Sequence, residues 1–532
     1  MTIRFSERMA GVLVPLFSLR SAHDWGVGEI PDVTELARWL SASGHSVLQL
    51  LPIGEPAMGQ NSPYSSFSAF AIDPLYLRLE EVEDFCAAGG VASLSQTARA
   101  HLEEARQSPR VAYDLVRPLK ERALQIAFAH FYMHEWATSS ARAAELQRFC
   151  QENQYWLEDC ALFRVLHLKH GTSWESWRPP LRERQPKAIA ATRRVLQREI
   201  LFYQFVQWHA DRQWQQARRA AAAWGVRLKG DLPFMVARDS ADVWVRQTEL
   251  LLDAHVGAPP DAFSATGQDW GLPPYHWEVM ARNDYEWLRQ RAGRSAALFD
   301  YYRIDHVVGF YRTYILPRSG ARPHFIPAEE ADQLALGETI LRIFQAGAAR
   351  RVVAEDLGTV PDFVRESLTR LGIPGYRVFR WEREWHQEGQ PFRDPRNYPP
   401  LSVATSGTHD TETLAVWWDE MEEEQSEVLK LPALAHLREA EVRRFNPIVQ
   451  QALLDLLYGA GSDLVILPIQ DLFGMRDRIN TPGTTHAENW TYRLPWEIHQ
   501  LESDPQLKEQ TASLWQRATR HDRILSQPAG SG

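Results

Sequence analysis

The chain has 532 residues, of which 44% are hydrophobic and 24% charged, so it is long enough for a large globular fold with a sizeable core. Its net charge of −10, with Lys and Arg scattered along the chain, argues against nucleic acid or an anionic membrane as a partner. No stretch reaches the roughly 18–20 apolar residues of a membrane span, and three cysteines, Cys86, Cys150 and Cys160, form no disulfide framework and suit a reducing cytosol.

The first predicted strand is the apolar run GVLVPLF at 11–17. A signal peptide needs a longer apolar stretch and a small-residue cleavage site, so we expect no export signal and a cytoplasmic location. Seven further apolar runs follow along the chain. They lie at 46–53, 226–236, 301–310, 351–358, 375–381, 401–410 and 462–474.

Amphipathic helical patterns separate several of these runs. Residues 32–44 carry an apolar stripe at helical spacing and end in Gly44, and residues 360–372 repeat the pattern. Alternating strands and helices indicate parallel pairing and an α/β fold, and eight units predict a closed (β/α)8 TIM barrel. An open doubly wound sheet is the alternative, but no Gly-rich phosphate turn follows the first strand.

One long segment, residues 76–195, interrupts this alternation because it is rich in helical patterns and lacks clear strand runs. We interpret it as a helical insertion subdomain between the second and third strands. Residues 1–75 are then the first part of the barrel, and residues 196–525 its remainder with the active-site loops. We expect the tail, residues 526–532, to be disordered.

Several of the predicted strand runs end in an acidic residue. In a (β/α)8 barrel the carboxyl ends of the strands meet at one face, where active sites lie. Carboxylates far apart in the sequence are therefore expected to converge there. These residues are Asp231, Asp305, Glu355, Asp410 and Asp471.

The run YYRIDHVVGF at 301–310 places Arg303 and Asp305 two residues apart. Residues i and i+2 of a strand project to the same face, so the two side chains should lie together. A neighbouring guanidinium favours the ionised form of a carboxyl group, which the nucleophile of a retaining glycosidase requires. A structural ion pair is the alternative interpretation.

The general acid of such a pair must be protonated near neutral pH. Glu355 shares a strand face with Val353, and apolar surroundings raise a carboxyl pKa, so Glu355 is the candidate. Asp356 should point to the other face, and could instead cap a helix. Asp410, in SGTHDT, is a third carboxylate that could bind sugar hydroxyls and favour ring distortion.

A divalent metal site built from Asp305, His306, His409 and Asp410 is an alternative. No His-x-His pair or carboxylate-rich calcium loop supports it. We therefore expect no metal and no cofactor, in keeping with the lack of a phosphate-binding loop.

Eight motifs together identify a family resemblance. They are GVLVPLFSLRS…WGVGEIPD, NSPYSSFSAFAIDPLYL, KGDLPFMVARDSADVW, PPDAFSATGQDWGLPPYHW, YYRIDHVVGFYRTY, VVAEDLGTVP, TSGTHDTETLAVWW and NTPGTTHAENWTYRL. The chain resembles the amylomaltase family, the 4-α-glucanotransferases or disproportionating enzymes of glycoside hydrolase family 77, over nearly all the barrel.

The resemblance implies roles for the three carboxylates: Asp305 as nucleophile, Glu355 as general acid/base and Asp410 as stabiliser of the transition state. It implies transfer of α-1,4-glucan segments to the 4-hydroxyl of a glucan or glucose acceptor by a retaining double displacement. The expected partners are malto-oligosaccharides and α-1,4-glucans, with the protein a monomer or weak homo-oligomer. The expected sugar contacts are Ser62, Tyr64, Asp231, Asp261, Gln268, Trp270, Arg303, His306, His409 and Asn480.

The sequence departs from the family pattern at two positions. Ala262 stands where many relatives have a tyrosine, which removes an aromatic platform near the acceptor side, and Asp73 stands where relatives usually have asparagine. Tyr64 and Trp270 are the candidates for shielding the reaction from water. An α-amylase-type hydrolase with the same carboxylates and a catalytically silent glucan-binding protein are the rival interpretations.

Overall fold

The computed structural model of the chain describes residues 7–260, 267–347, 352–421 and 424–524. Within these ranges there are twelve β-strands, which we number in chain order. They are β1 Met9–Leu13, β2 Val47–Gln49, β3 Arg227–Leu232, β4 Ala254–Ala258, β5 Gln268–Leu272, β6 Tyr301–Ile304, β7 Thr313–Pro317, β8 His324–Ile326, β9 Val352–Ala354, β10 Gly375–Val378, β11 Ser402–Thr405 and β12 Leu464–Pro468.

Eight of the strands form one parallel sheet in the order β10-β11-β12-β1-β2-β3-β6-β9. The sheet curls until its two edges meet, where the amide of Ala354 donates to the carbonyl of Pro374 at 2.9 Å. Each of the eight predicted apolar runs overlaps one of these strands. The predicted (β/α)8 barrel is therefore confirmed.

Long helices connect and cover most of the barrel strands. The helices of ten or more residues are Asp32–Ala42, Gln96–Gln107, Tyr113–Phe131, Ala141–Glu152, Leu157–His170, Pro186–Val195, Gln197–Ala223, Glu286–Leu298, Glu330–Gly347, Asp362–Leu371, Pro447–Tyr458 and Pro505–Arg520. Both helices predicted from an apolar stripe are present. The second one ends at Gly372, whose φ of +69° lies in the left-handed region that other residues rarely adopt.

The connection between β10 and β11 departs from the regular alternation. Residues 379–401 are all described and contain only two 3-10 turns, Phe379–Trp381 and Pro395–Asn397, and no α-helix.

A second, antiparallel sheet has the order β5-β4-β7-β8, and the sequence did not predict it. Its strands belong to the connections that follow β3 and β6. Trp270 and Gln268, two of the expected sugar contacts, both lie in β5.

Residues 83–195, which we call the helical segment, are fully described and contain helices joined by short connections, with no β-strand. The helical segment packs against the long helix Gln197–Ala223, which leads into β3. The subdomain boundaries drawn from the sequence remain a proposal, and the tail at 526–532 lies outside the described residues. No described helix combines the length and apolar character needed to cross a membrane.

Near the C-terminus, Arg523 holds together the end of the barrel opposite to the carboxyl ends of the strands. Its side chain is buried, and its guanidinium donates to five backbone carbonyls. They are those of Met9, Tyr458, Ala460, Ser462 and Asp463, at 2.7–3.3 Å. Arg523 therefore ties the starts of β1 and β12 to the helix that precedes β12.

Replacing Arg523 by methionine is expected to lower the free energy of unfolding by at least about 3 kcal/mol, because each buried carbonyl left without a donor costs roughly 1–3 kcal/mol. The carbonyls of Ala460 and Asp463 keep a second donor, from Arg8 and the Met9 amide, so not all five are left unpaired. Chemical denaturation monitored by circular dichroism measures the loss. The matched control is Arg520→Met, since Arg520 is 62% exposed and bonds only Asp455. Equal effects of the two substitutions would contradict the role given to Arg523.

Candidate active site

The carboxyl ends of three neighbouring barrel strands bring acidic side chains together. Asp231 lies within β3, Asp305 follows β6 and Glu355 follows β9. The backbone ladder continues past the strands, because the amide of Asp305 donates to Leu232 and that of Glu355 to Ile304, both at 3.0 Å. The convergence expected for a barrel is therefore present for these three residues.

The Arg303 guanidinium lies between all three carboxylates, and its side chain is only 7% exposed. Nη1 donates to Oδ2 of Asp231 at 2.6 Å. Nη2 lies 2.9 Å from Oδ1 of Asp305 and 3.8 Å from Oε2 of Glu355. The contact predicted between Arg303 and Asp305 is present, and Asp305 and Glu355 both lie near the same nitrogen atom of Arg303.

Glu355 and Asp356 point in opposite directions, as the strand period requires. Oε2 of Glu355 accepts from the amide of His306 at 2.7 Å. Asp356 instead accepts from the amide of Tyr376 at 2.7 Å and contacts Arg377, so it joins β9 to β10 at the closure of the barrel. Asp356 does not cap the helix Asp362–Leu371, which was the alternative interpretation of this residue from the sequence.

Asp410 approaches from the loop after β11. Nδ2 of Asn480 donates to its Oδ1 at 2.6 Å, and Nε2 of His409 lies 3.3 Å from its Oδ2. The guanidinium of Arg478 fixes the backbone by donating to the Asp410 carbonyl at 2.6 Å. The Asp410 side chain is 41% exposed, so its carboxylate can reach a ligand in the cleft.

The three carboxyl groups differ in proton affinity. Burial raises the pKa of Asp305 to about 6, and Arg303 opposes this by lowering the pKa, in the direction expected from the sequence. Burial also raises the pKa of Glu355, to about 8. For Asp410, burial is outweighed by His409 and Asn480, which lower its pKa to about 2.

Three rings form an aromatic cluster beside the carboxylates: Tyr64, His409 and Trp490. Tyr64 stacks on His409 with ring centroids 4.9 Å apart, and Trp490 lies 5.8 Å from each. The hydroxyl of Tyr64 donates to Oδ2 of Asp231 at 2.8 Å. The hydroxyl of Ser62 accepts from the amide of Tyr64 at 3.4 Å, so Ser62 lies in the same loop.

The remaining predicted contacts fall into two groups. Trp270 in β5 packs edge-on against His306, with ring centroids 4.8 Å apart, and its indole donates to Gln268 at 3.0 Å. Burial lowers the pKa of His306 to about 4, so it is a neutral ring at pH 7. Asp261, like Ala262, lies outside the described residues.

Asp471 follows the carboxyl end of β12, as expected, but its side chain is not exposed like that of Asp410. It belongs to a short helix, Ile469–Leu472, and is buried. Its carboxyl group accepts from the hydroxyl of Ser406 and from the amide of Leu414 at 2.7 Å. Asp471 therefore supports the loop that carries Asp410 and does not open into the cleft.

Sequence reasoning missed a buried polar group beneath the site. Nζ of Lys229 donates to Oε1 of Gln49 at 2.8 Å and lies 2.7 Å from the hydroxyl of Tyr376, across the barrel interior. Burial holds the pKa of Lys229 well below its usual range. The spacing in the sequence could have revealed Lys229, because it precedes Asp231 by two residues and so shares its strand face.

The described residues contain no group of three or more His, Cys, Asp or Glu side chains arranged to hold a metal ion. The residues considered from the sequence as metal ligands contact different partners instead. Asp305 contacts Arg303, while the ring of His306 packs on Trp270 and that of His409 on Tyr64.

Comparison with known proteins gives a consistent result. The family model described as 4-alpha-glucanotransferase matches residues 14–499. The 4-alpha-glucanotransferase of Chlamydia pneumoniae is 32% identical over 503 residues, which cover 92% of each chain, and that of Thermus thermophilus is 33% identical over 88% of this chain and 92% of its own. The structure of amylomaltase from Streptococcus agalactiae in complex with acarbose superposes with a TM-score of 0.81 at 26% identity, covering 98% of this chain and 100% of that one.

The pKa values of Asp305 and Glu355 predict a bell-shaped pH profile. If activity needs Asp305 ionised and Glu355 protonated, kcat/KM rises through about pH 6 and falls through about pH 8. The two limbs belong to the coupled pair. Initial rates on maltotriose from pH 4 to about pH 10 measure the profile, and a plateau extending well above the second limb would contradict the protonated state assigned to Glu355.

The opposite orientations of Glu355 and Asp356 predict opposite phenotypes. If Glu355 is the general acid, Glu355→Gln should lower kcat by roughly 100- to 10,000-fold, with little effect on stability. Asp356→Asn should leave the kcat of the folded enzyme near that of the wild type and lower the unfolding free energy by about 1–3 kcal/mol. Kinetics and denaturation of both variants test this, and a large loss of kcat in Asp356→Asn would refute the assignment.

Proposed function

We propose that this chain, which belongs to the 4-alpha-glucanotransferase family, glycoside hydrolase family 77, transfers α-1,4-glucan segments by a retaining double displacement on Asp305. Membership of the family makes it an enzyme of the 4-alpha-glucanotransferase class. The observation that supports the mechanism is that Asp305 and Glu355 both approach Nη2 of Arg303, at 2.9 and 3.8 Å. This proximity is compatible with the roughly 5–5.5 Å between the carboxyl groups of a retaining pair.

In the first half of the reaction, a carboxylate oxygen of Asp305 attacks the anomeric carbon of the donor glucan. Glu355 gives its proton to the glycosidic oxygen as that bond breaks, and the shortened glucan leaves with a free 4-hydroxyl. The donor segment is then held as a β-glycosyl ester of Asp305. The raised pKa of Glu355 provides the proton at neutral pH.

In the second half, Glu355 takes the proton from the 4-hydroxyl of an acceptor glucan. The acceptor oxygen attacks the anomeric carbon, the ester bond breaks and Asp305 is released as a carboxylate. The bond formed is of the same type as the bond broken. The exchange therefore needs no activated sugar and no oxidant or reductant.

Asp410 supplies a permanent negative charge at the rim of the site. Its lowered pKa keeps it ionised throughout the cycle, and its exposed carboxylate suits the binding of hydroxyls on the reacting ring. Hydrogen bonds of this kind, which strengthen as the ring flattens toward the oxocarbenium-like state, contribute several kcal/mol in glycosidases.

Transfer requires that a sugar, and not water, meets the glycosyl ester. Tyr64 and Trp270 are the proposed shields. The hydroxyl of Tyr64 is held by Asp231, and Trp270 is held against His306 by the β5 strand, so both rings are fixed beside the carboxylates. The substrates proposed here are malto-oligosaccharides and longer α-1,4-glucans.

Incubation with maltotriose tests the function. Transfer is expected to give glucose and a ladder of maltodextrins longer than maltotriose with a constant number of reducing ends, because each cleavage is matched by a new bond. Chromatography of the products with a reducing-end assay measures this. Short sugars with a rising number of reducing ends would show hydrolysis instead, and Asp305→Ala is the control expected to be inactive.

A further inference from the structure

We propose that the helical segment positions the aromatic cluster of the active site, with Arg164 and Tyr113 as positioning residues. The proposal rests on the function proposed above and deepens it. It assigns to residues 83–195 a part in the glucan-transfer site that the barrel alone does not supply. The argument follows the contacts from the helical segment to Tyr64 and Trp490.

The loop that carries Tyr64 leaves the barrel after β2 and folds back on itself. Its two legs are joined by isolated bridges between Gly54 and Ile72 and between Pro56 and Ser66. These backbone bonds fix the two legs relative to each other. The position of the tip, which carries Ser62 and Tyr64, then depends on the side chains that hold the legs in place.

Arg164, from the helix Leu157–His170, holds one end of this loop. Its Nη1 lies 2.7 Å from Oε1 of Glu55 and donates to the sulfur of Met58 at 3.1 Å. The guanidinium also lies between the rings of Phe67 and Tyr203, at 5.4 and 5.8 Å. Glu55 and Phe67 lie on opposite legs of the loop, so Arg164 contacts both legs.

A second arginine of the helical segment holds the other end of the loop. Arg117 donates to both carboxylate oxygens of Asp73, at 3.2 and 3.0 Å. Asp73 is buried and in turn accepts from the amide of Leu75. The Asp73 carboxylate thus forms a bidentate pair with Arg117.

Tyr113 reaches the third ring of the cluster from the same helical segment. Its hydroxyl donates to the carbonyl of Trp490 at 2.8 Å, and the amide of Val111 donates to Thr491 at 2.9 Å. Trp490 has a φ of +65°, a left-handed conformation that is strained for a bulky side chain. The amide of Trp490 donates to Ile479 at 2.8 Å, so its peptide groups are held on both sides.

The aromatic cluster connects these contacts to the chemistry. The hydroxyl of Tyr64 donates to Asp231, which binds Arg303, and Arg303 contacts Asp305. A shift of the Tyr64 loop would therefore disturb the guanidinium that the carboxylates share. Misplacement of about 1 Å in such a site can cost on the order of 100-fold in rate.

The central experiment measures maltotriose disproportionation by Arg164→Met. We expect kcat to fall by about 10- to 100-fold, and the melting temperature to fall because Glu55 loses its partner. The double variant Arg164→Met/Glu55→Gln removes the unpaired charge, so its melting temperature should recover while kcat stays low. Recovery of kcat together with stability would reduce Arg164 to a structural ion pair and overturn the proposal.

A double-mutant cycle with Tyr64→Phe gives the second readout. If Arg164 acts through the hydroxyl of Tyr64, the loss of kcat/KM caused by Arg164→Met should shrink several-fold in the Tyr64→Phe background. If the loss in the double variant equals the product of the two single losses, the two residues act independently and the proposal is contradicted. Tyr113→Phe, which removes one hydroxyl from the other contact, should lower kcat several-fold.

The matched control is Arg198→Met. Arg198 is exposed and also stacks on a ring of the helical segment, Tyr132 at 4.7 Å, but touches neither active-site loop. It should leave kcat unchanged. If the wild type disproportionates maltotriose and Arg164→Met has the same kcat as Arg198→Met, the positioning role is contradicted but the proposed function is not. If the wild type does not disproportionate maltotriose, the proposed function itself is contradicted.

Discussion

The site depends on one buried guanidinium that three carboxylates share. Burying a charge is costly unless it is paired, and Arg303 meets Asp231, Asp305 and Glu355 on three adjacent strands. Burial raises the pKa of both reacting carboxyl groups, to about 6 for Asp305, 2.9 Å from the guanidinium, and to about 8 for Glu355, 3.8 Å from it. Asp305 is therefore the more acidic of the two, and Glu355 is the group that we propose to carry a proton near neutral pH.

Much of this could be predicted because it depends on local periodicity. A strand period of two places Arg303 beside Asp305 and separates Glu355 from Asp356, and eight apolar runs indicate eight barrel strands. The ion pair between Arg303 and Asp231 could not be predicted in this way. It arises from the register of β3 against β6, in which Asp231 pairs with Arg303, and register between strands distant in the chain leaves no pattern in either one.

The other gaps have identifiable physical causes. The second sheet was missed because β5, with the sequence QDWGL, is polar and half-exposed and so lacks the apolar run of a buried strand. The supporting role of Asp471 could not be predicted because its partners, Ser406 and Leu414, lie far away in the sequence. The contacts of Arg164 and Tyr113 join segments far apart in the chain, so the helical segment reads as a separate unit although its side chains reach the active-site loops.

The most direct test of the central claim is to trap the ester on Asp305. In Glu355→Gln, a maltosyl fluoride donor should still react, since fluoride needs no proton to leave, whereas the glutamine cannot activate an acceptor. Mass spectrometry of the digested protein should then find one maltosyl unit on the peptide that contains Asp305, and none after Asp305→Ala. A maltosyl unit on another carboxylate, or release of fluoride with inverted product and no adduct, would contradict the account.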